Sequence, residues 1–286
     1  MTDSPASPVR VAVFGASGRL GHLICQEAAQ RGLSDGTGDA TLVAAITHAK
    51  STHLGRPAAE VRWTSTDTGA AGSDQANADA KVPIPRIAPD LPSELQVDVI
   101  VDASTDEGTR RAIATARDRR AALLIATTGL SDATRAVLDG AAALIPILIA
   151  PNTSLGIAVA RRLVHRAARL LGSSYDSAII EAHHRYKKDA PSGTAFVLRD
   201  ALQEGGQTIA DDAIISMRGG DVVGEHTVRF AGPGEFIEIR HVATSRALFA
   251  RGAIDAACWL VRQTPGRYTI DDLLAMRLTA RDEQAS

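Results

Sequence analysis

A short apolar strand that breaks directly into three spaced glycines constrains this chain more than any other feature. Val9-Arg-Val-Ala-Val-Phe14 has the β-branched, apolar character of a strand buried in a parallel sheet. Gly15-Ala-Ser-Gly-Arg-Leu-Gly21 follows at once, and Leu20, Leu23, Ile24 and Ala28 then recur at helical spacing. The first glycine permits a tight turn, the second lets a pyrophosphate approach the backbone, and the third lets helix pack closely on strand. The helix start adds outward N–H groups and a partial positive charge, to which Arg19 brings a full one. Spaced glycines alone are weak evidence. Between a first strand and a helix they point to a dinucleotide.

The alternation continues. Leu42–Ile46, Val97–Asp102, Ala122–Ala126 and Ile145–Ala150 read as strands, separated by helices over Gly108–Arg119 and from a Ser131 cap through Gly140. This order predicts an α/β fold with a Rossmann-type, doubly wound parallel sheet. The segment from Thr64 to Pro92, rich in Ala, Gly, Ser, Asp and Pro, reads as an extended surface excursion. After Pro151 the character changes. A helix over Gly156–Leu171 leads into a strand ending near His183, followed by strands over Ala213–Arg218, Glu225–Ala231 and Phe236–Ala243. Hairpin signals at Gly219-Gly220 and Gly232-Pro-Gly234 fit antiparallel pairing. Helix resumes after Ser245, and Thr269–Met276 begins a terminal one. The expected organisation is a dinucleotide-binding domain, residues 1–153 with 246–286, around a second α+β domain, 154–245, with a mixed or antiparallel sheet for substrate binding and oligomerisation.

The 286 residues, 45% hydrophobic and 22% charged, are ample for two packed cores. A net charge of −2 gives no global case for nucleic-acid binding, so any anion preference must be local. Cys25 and Cys258 are too few and too distant for a disulfide framework or a zinc site. Met1–Pro8 lacks the basic and apolar regions of a signal peptide, and the longest apolar stretch, Ala141–Pro151, is too short to cross a bilayer. The expectation is a cytoplasmic protein without metal, nucleic-acid or membrane partners.

A second motif carries the chemistry. Glu181-Ala-His-His-Arg-Tyr-Lys-Lys-Asp-Ala-Pro-Ser-Gly-Thr194 sets two histidines and three cations ahead of a helix start. Pro191 restricts Ala190, and Ser192 is a good N-cap, so Gly193 and Thr194 open a helix of the kind that attracts carboxylate or phosphate. Spacing alone leaves two readings open, a solvated basic loop or a site of proton transfer to a small anion. At the end of the second predicted strand stands Thr47-His-Ala-Lys50, with no carboxylate to hold a ribose 2′-hydroxyl. His48 and Lys50 lean towards NADPH rather than NADH, although an exposed lysine is commonly just a surface residue.

These motifs, with Ala126-Thr-Thr-Gly129, Ala150-Pro-Asn-Thr-Ser154 and Arg218-Gly-Gly-Asp-Val-Val-Gly-Glu-His-Thr227, resemble the dihydrodipicolinate reductase family from Val11 to about Leu274, the Thr64–Pro92 region apart. The resemblance implies NAD(P)H-dependent reduction of 4-hydroxy-tetrahydrodipicolinate in lysine and diaminopimelate biosynthesis, by a homotetramer. It implies that His183 is the general acid/base and Lys187 the second proton-handling residue. It places the substrate carboxylates on His184, Lys187, Ser192, Gly193 and Thr194. The cofactor would lie along Gly15, Ala16, Ser17, Gly18, Arg19 and Leu20, beside Thr47 and His48, and against Ala126, Thr127, Thr128, Ala150, Pro151, Asn152 and Thr153. Three positions depart from the family's usual pattern: Ala126 for Gly, Thr153 for Phe, and Thr47 for an acid. The rival readings are a related reductase of another small carboxylate and a non-catalytic nucleotide-binding or redox-sensing homologue. His183 and Lys187 argue against the latter.

Overall fold

The structure, a computed structural model, describes residues 7–32, 38–60 and 83–285. Its first half runs β1 (Val9–Phe14), α1 (Arg19–Gly32), β2 (Ala40–Ile46), β3 (Ile87–Ala88), β4 (Val99–Asp102), α2 (Asp106–Arg119), β5 (Ala122–Ile125), α3 (Asp132–Ala142) and β6 (Pro146–Ile149). The second half runs α4 (Leu155–Leu171), β7 (Asp176–His183), α5 (Gly193–Glu204), β8 (Ile214–Arg218), β9 (Gly224–Gly232), β10 (Glu235–Ala243), α6 (Ala247–Leu260), β11 (Gly266–Tyr268) and α7 (Ile270–Ala285). Contacts divide the chain into two compact units, the second taking Ser154–Arg246 and the first taking the described residues on either side.

The first unit is built on a seven-stranded sheet in the order β11-β6-β5-β4-β1-β2-β3, with every pairing parallel. Helices cover both faces of such a sheet, so its strands must be apolar throughout rather than alternating. Val11, Val13, Ile100, Val101, Leu123, Ile125, Ile147 and Leu148 are accordingly all fully buried. Each side chain of this size contributes about 1.5–3 kcal/mol by leaving water. Several helices start on one device. Thr105, Ser131 and Ser154 sit in extended geometry and accept a hydrogen bond from the backbone N–H three residues on. The strand order reverses between β1 and β4, and there the loops leaving the two strands diverge to open a crevice.

The second unit is a four-stranded mixed sheet, β10-β9-β7-β8, in which β7 runs parallel to β8 and antiparallel to β9. One face packs on α4 and α5 through Val164, Ala168, Ile179, Leu198, Leu202, Val228 and Phe230. Period-two alternation then fixes which side chains share that inner face. Glu181 pairs across the ladder with His226, His226 with His241, and Glu181 with Ser216, so these four polar residues form one row across the sheet.

Two expectations need correction, and one strand was not anticipated. Gly219-Gly220 does not close a hairpin, because β8 pairs with β7 at the far edge of the sheet instead of with β9. The two glycines form an open turn whose backbone meets the loop after β7, with Arg185 N–H donating to Gly220 O at 3.1 Å. Residues 83–92, read as part of an extended surface excursion, contain β3, a two-residue strand that extends the sheet beside β2. The remainder of that excursion, 64–82, lies outside the described residues. Finally, β11 escapes sequence reading because three residues are too few to show a period. The hairpin at Gly232-Pro-Gly234 is present as expected, joining β9 to β10. Among the described residues no helix is long and apolar enough to cross a membrane.

Candidate active site

The glycine turn is shaped by contacts that only hydrogen side chains permit. Gly15 has φ +80°, and a Cβ there would lie 2.3 Å from the carbonyl oxygen of Ala103 in the loop after β4. A Cβ on Gly21 would lie 2.0 Å from Gly15 O, which is the close packing of α1 on the turn. Gly15 N–H and Ala16 N–H both donate to Ile46 O, at 2.9 and 3.0 Å, which ties the turn to the end of β2. Ser17 and Thr47 share a hydroxyl–hydroxyl hydrogen bond of 2.5 Å.

Above this turn opens a cavity of about 290 Å³ lined by Gly15, Ser17, Gly18, Thr47 and His48 of the expected set. Phe14, Ile46, Ala103, Ser104, Thr105, Glu107, Gly108 and Arg111 complete its wall. Ala16 is buried beneath it, and Arg19 is the exposed first residue of α1, followed by Leu20. Ala126, Thr127 and Thr128 leave the end of β5, and Ala150, Pro151, Asn152 and Thr153 the end of β6. They lie further along the same carboxyl edge and do not line this cavity. Thr153 Oγ1 donates to Phe249 O at 2.7 Å, so its hydroxyl is spent on backbone.

Sequence reading missed the wall supplied by the β4 loop. Its support is Asp102, fully buried at the end of β4. Thr109 and Thr127 hydroxyls donate to its carboxylate at 2.5 and 2.7 Å, and the Ser104 hydroxyl donates as well. Burial pushes the Asp102 carboxyl above its ordinary value despite these hydroxyl donors. The rule that ligands sit beyond the carboxyl ends of parallel strands would have found this loop. The cradle therefore fits a dinucleotide: glycine backbone where phosphates approach, a helix start beneath, and hydroxyls at the end of β2.

The chemistry-bearing residues of the second unit converge at the end of β7. Glu181 is fully buried and His183 nearly so. His183 Nδ1–H donates to Glu181 Oε2 at 2.5 Å. Arg218, the last residue of β8, donates to both Glu181 oxygens, at 2.7 and 3.0 Å. Ser192 N–H donates to Glu181 Oε1 at 3.3 Å, which brings the start of α5 into the same cluster. As expected, Ser192 caps α5, its hydroxyl accepting from Ala195 N–H at 3.2 Å; it also bonds His226 Nε2 at 3.1 Å. Gly193 is exposed and Thr194 half-buried at the first turn of the helix. Lys187 pairs with Asp189 at 2.9 Å, and His184 stands half-buried at the start of the loop.

Electrostatics follow from this packing. Burial works to raise the Glu181 carboxyl, but hydrogen bonds from Arg218 and His183 overcome it and hold the group down at about 2. Burial lowers His183 below the ordinary histidine value, Glu181 opposes that, and the charges of Lys187 and Arg218 add to it. His226 is lowered further, to about 4, chiefly by burial and then by His183. Glu181, His183 and His226 bring ligand-type atoms within 4.8 Å of one another, the spacing of a metal site. Yet Arg218 occupies both carboxylate oxygens with a fixed positive charge, so this donor set is organised for protons rather than for a cation. Glu181 and Arg218 both stood in quoted motifs without a role. Their spacing from His183 along and across the strands is the signal that identifies them.

Comparison with known proteins identifies the family. Family models for the N-terminus and the C-terminus of dihydrodipicolinate reductase match residues 9–153 and 156–274. A 4-hydroxy-tetrahydrodipicolinate reductase from Alkalilimnicola ehrlichii is 40% identical over 285 residues, covering 93% of this chain and 99% of its own. One from Stenotrophomonas maltophilia is 42% identical over 268 residues, covering 94% and 98%. Among solved structures, a dipicolinate-bound dihydrodipicolinate reductase from Paenisporosarcina sp. TG-14 shares the fold with a TM-score of 0.67 at 22% identity, over 92% of this chain and 97% of that one. With both halves matched in order and relatives at this identity over their whole length, the chain belongs to the dihydrodipicolinate reductase family.

Proposed function

We propose that this chain reduces 4-hydroxy-tetrahydrodipicolinate to tetrahydrodipicolinate in lysine and diaminopimelate biosynthesis, with NADPH as the preferred reductant and His183 as the proton donor. Bound above the glycine turn, the reduced nicotinamide cofactor would supply a hydride to the unsaturated, imine-conjugated ring. The ring is then left with an enamine-like electron pair that must take up a proton. The observation that carries the reading is the setting of His183: a buried imidazole at the end of β7, anchored through Nδ1 to a carboxylate that also binds the start of α5. A Cβ on Gly224 would sit 3.1 Å from His183 Nε2, so the glycine leaves that nitrogen accessible. Imidazole is the side chain best matched to donation near neutral pH.

The ligand-free basicity of His183 is held low by burial and by neighbouring cations. A dicarboxylate arriving beside it reverses that balance and favours the imidazolium when the proton is needed. Lys187, Ser192, Gly193, Thr194 and His184 hold the two carboxylates, with Lys187 exchanging Asp189 for substrate. The preference for NADPH rests on Thr47 standing where an acid would repel a 2′-phosphate, with His48 on the cavity wall and Lys50 nearby. Assembly as a homotetramer is supported by the outward face of the second sheet, where Ile180, Ile215, Met217, Phe236 and Val242 are all exposed.

The test is a coupled assay from aspartate semialdehyde and pyruvate through the upstream synthase, following NADPH and NADH oxidation separately. Oxidation dependent on the synthase, faster with NADPH, is expected. Absence of oxidation with either nucleotide would refute the activity, and a faster rate with NADH the preference. His183→Gln should lower kcat by about 10²–10⁴-fold while leaving nucleotide affinity near normal.

A further inference from the structure

We propose that Glu181 is a positioning residue for proton transfer: its carboxylate fixes the His183 ring through Nδ1–H, so that Nε2 is the nitrogen exchanging a proton with substrate, and Arg218 keeps that carboxylate ionised. This rests on the reading of His183 as donor and adds what sets its tautomer and orientation.

Four contacts converge on the one carboxylate: His183 Nδ1 at 2.5 Å, Arg218 at 2.7 and 3.0 Å, and Ser192 N–H at 3.3 Å. A neutral buried imidazole carries its proton on either nitrogen. An ionised carboxylate can only accept, so its bond to Nδ1 decides the question in favour of Nδ1–H. Nε2 is then left facing the position that Gly224 keeps clear of a side chain. A fully buried carboxylate would tend to take up a proton and lose this power. The two-pronged contact of Arg218 prevents it, since a guanidinium matches a carboxylate in plane and charge. Arg218 also donates to Asp189 O at 2.6 Å, so the same side chain anchors the loop that bears Lys187. Ser192 N–H brings in the helix start. One buried acid thus sets the proton donor and both parts of the carboxylate-binding loop in register.

The proton balance is simple. His183 begins as an imidazolium with Nδ1–H on Glu181 and a second proton on Nε2. The Nε2–H bond breaks as a C–H bond forms with the electron pair that hydride addition placed on the ring. His183 is left neutral, Nδ1–H still on Glu181, and Nε2 takes its next proton from solvent. Around the ring stand Glu181 on its own strand, Arg218 on β8, His226 on β9 at 5.0 Å between ring centroids, with His241 beyond it on β10, and Lys187 in the following loop. Arg218 reaches His183 through Glu181, whose charge it maintains.

That dependence supplies the test. The ¹⁵N resonances of His183 are titrated in the full-length protein and in Glu181→Gln and Arg218→Gln, with melting and NADPH binding as checks of folding. Glu181→Gln should move the His183 midpoint down, and Arg218→Gln should move it down as well because the unpaired buried carboxyl takes up a proton, each by about one pH unit. The alkaline limb of kcat should move with them, and Glu181→Gln should lose about a hundredfold or more in kcat with the KM for NADPH within about threefold. Midpoints that stay put or rise in either variant overturn the proposal. If Glu181→Gln does not fold, Arg218→Gln decides alone, and a midpoint that rises or stays overturns it. Midpoints that fall as expected while His183→Gln keeps full activity would uphold the positioning and remove His183 as the donor.

Discussion

His226 should make the second unit lose stability as acidity rises, in a window set by one buried ring. The residue is 4% exposed. Its Nε2 bonds the Ser192 hydroxyl at 3.1 Å, and the described residues offer its Nδ1 no partner. With its proton on Nε2 the neutral ring is satisfied at one nitrogen and merely bare at the other. Protonation would add a buried N–H without an acceptor, and burial, followed by the charge on His183, holds the folded-state value down at about 4. The unfolded chain titrates near the ordinary histidine value of about 6.5. The unfolded state therefore binds more protons below that value, and stability present at pH 8 is lost as pH falls through about 6.5 towards 4. For a single group moving between these values the loss is about 2 kcal/mol at pH 5 and about 3 kcal/mol at pH 4. Burial also lowers His183 and His241, which add to the same window. Glu181 contributes only later, between its unfolded value of about 4.5 and about 2. Urea unfolding of wild type and His226→Gln at pH 8, 6 and 5 isolates the one group, since Gln keeps a partner for Ser192 but does not titrate. Wild type should lose about 2 kcal/mol more than the variant between pH 8 and 5. Parallel losses in the two proteins would refute the reasoning.

Thr47→Asp should place a carboxylate at the end of β2 and lower the NADPH-to-NADH ratio of kcat/KM by tenfold or more, about 1.4 kcal/mol; an unchanged ratio would show that Thr47 does not face the ribose. Gly224→Ala puts a methyl group 3.1 Å from His183 Nε2 and should lower kcat by about a hundredfold with nucleotide binding intact, as a displacement near the reacting atoms does. Equal kcat in the variant would mean that substrate approaches His183 from elsewhere. Met217→Glu, on the outward face of β8 where Met217 is 58% exposed, should dissociate the proposed homotetramer in sedimentation experiments. An unchanged mass would remove that face from the interface.

The parallel sheet was legible because its cause is local. Strands buried on both faces spell continuous apolar runs, and Val9–Phe14, Val97–Asp102 and Ala122–Ala126 have no other plausible role. Caps at Ser131 and Ser192 were legible for the same reason, since one side chain satisfies one nearby N–H. Pairing was not. Gly219-Gly220 has the composition of a hairpin, but β8 joins β7, and only the order of strands across the sheet reveals it. The candidate site divides in the same way. Histidines and lysines on one loop announced themselves, whereas the partnership of Glu181 with Arg218 spans two strands and thirty-seven positions in sequence.

The inner face of the second sheet shows why that partnership reads as machinery rather than as packing. Behind Glu181 the face is an ordinary core of Ile179, Val228 and Phe230, fully or almost fully buried. One ladder step further the row becomes Ser216, Glu181, His226 and His241, four polar side chains where apolar ones would pack without desolvation cost. A buried carboxylate–guanidinium pair adds little net stability over an apolar replacement, because desolvation consumes the attraction. Stability alone therefore does not account for the row. Its placement does: β7 runs on from this row to His183, and apart from those of Arg218 the charged contacts of Glu181 end on the His183 ring and on the backbone that opens α5. A change that made this layer apolar should leave the fold at least as stable and the donor without its orientation, and finding both in one variant would separate the cost of the row from its purpose.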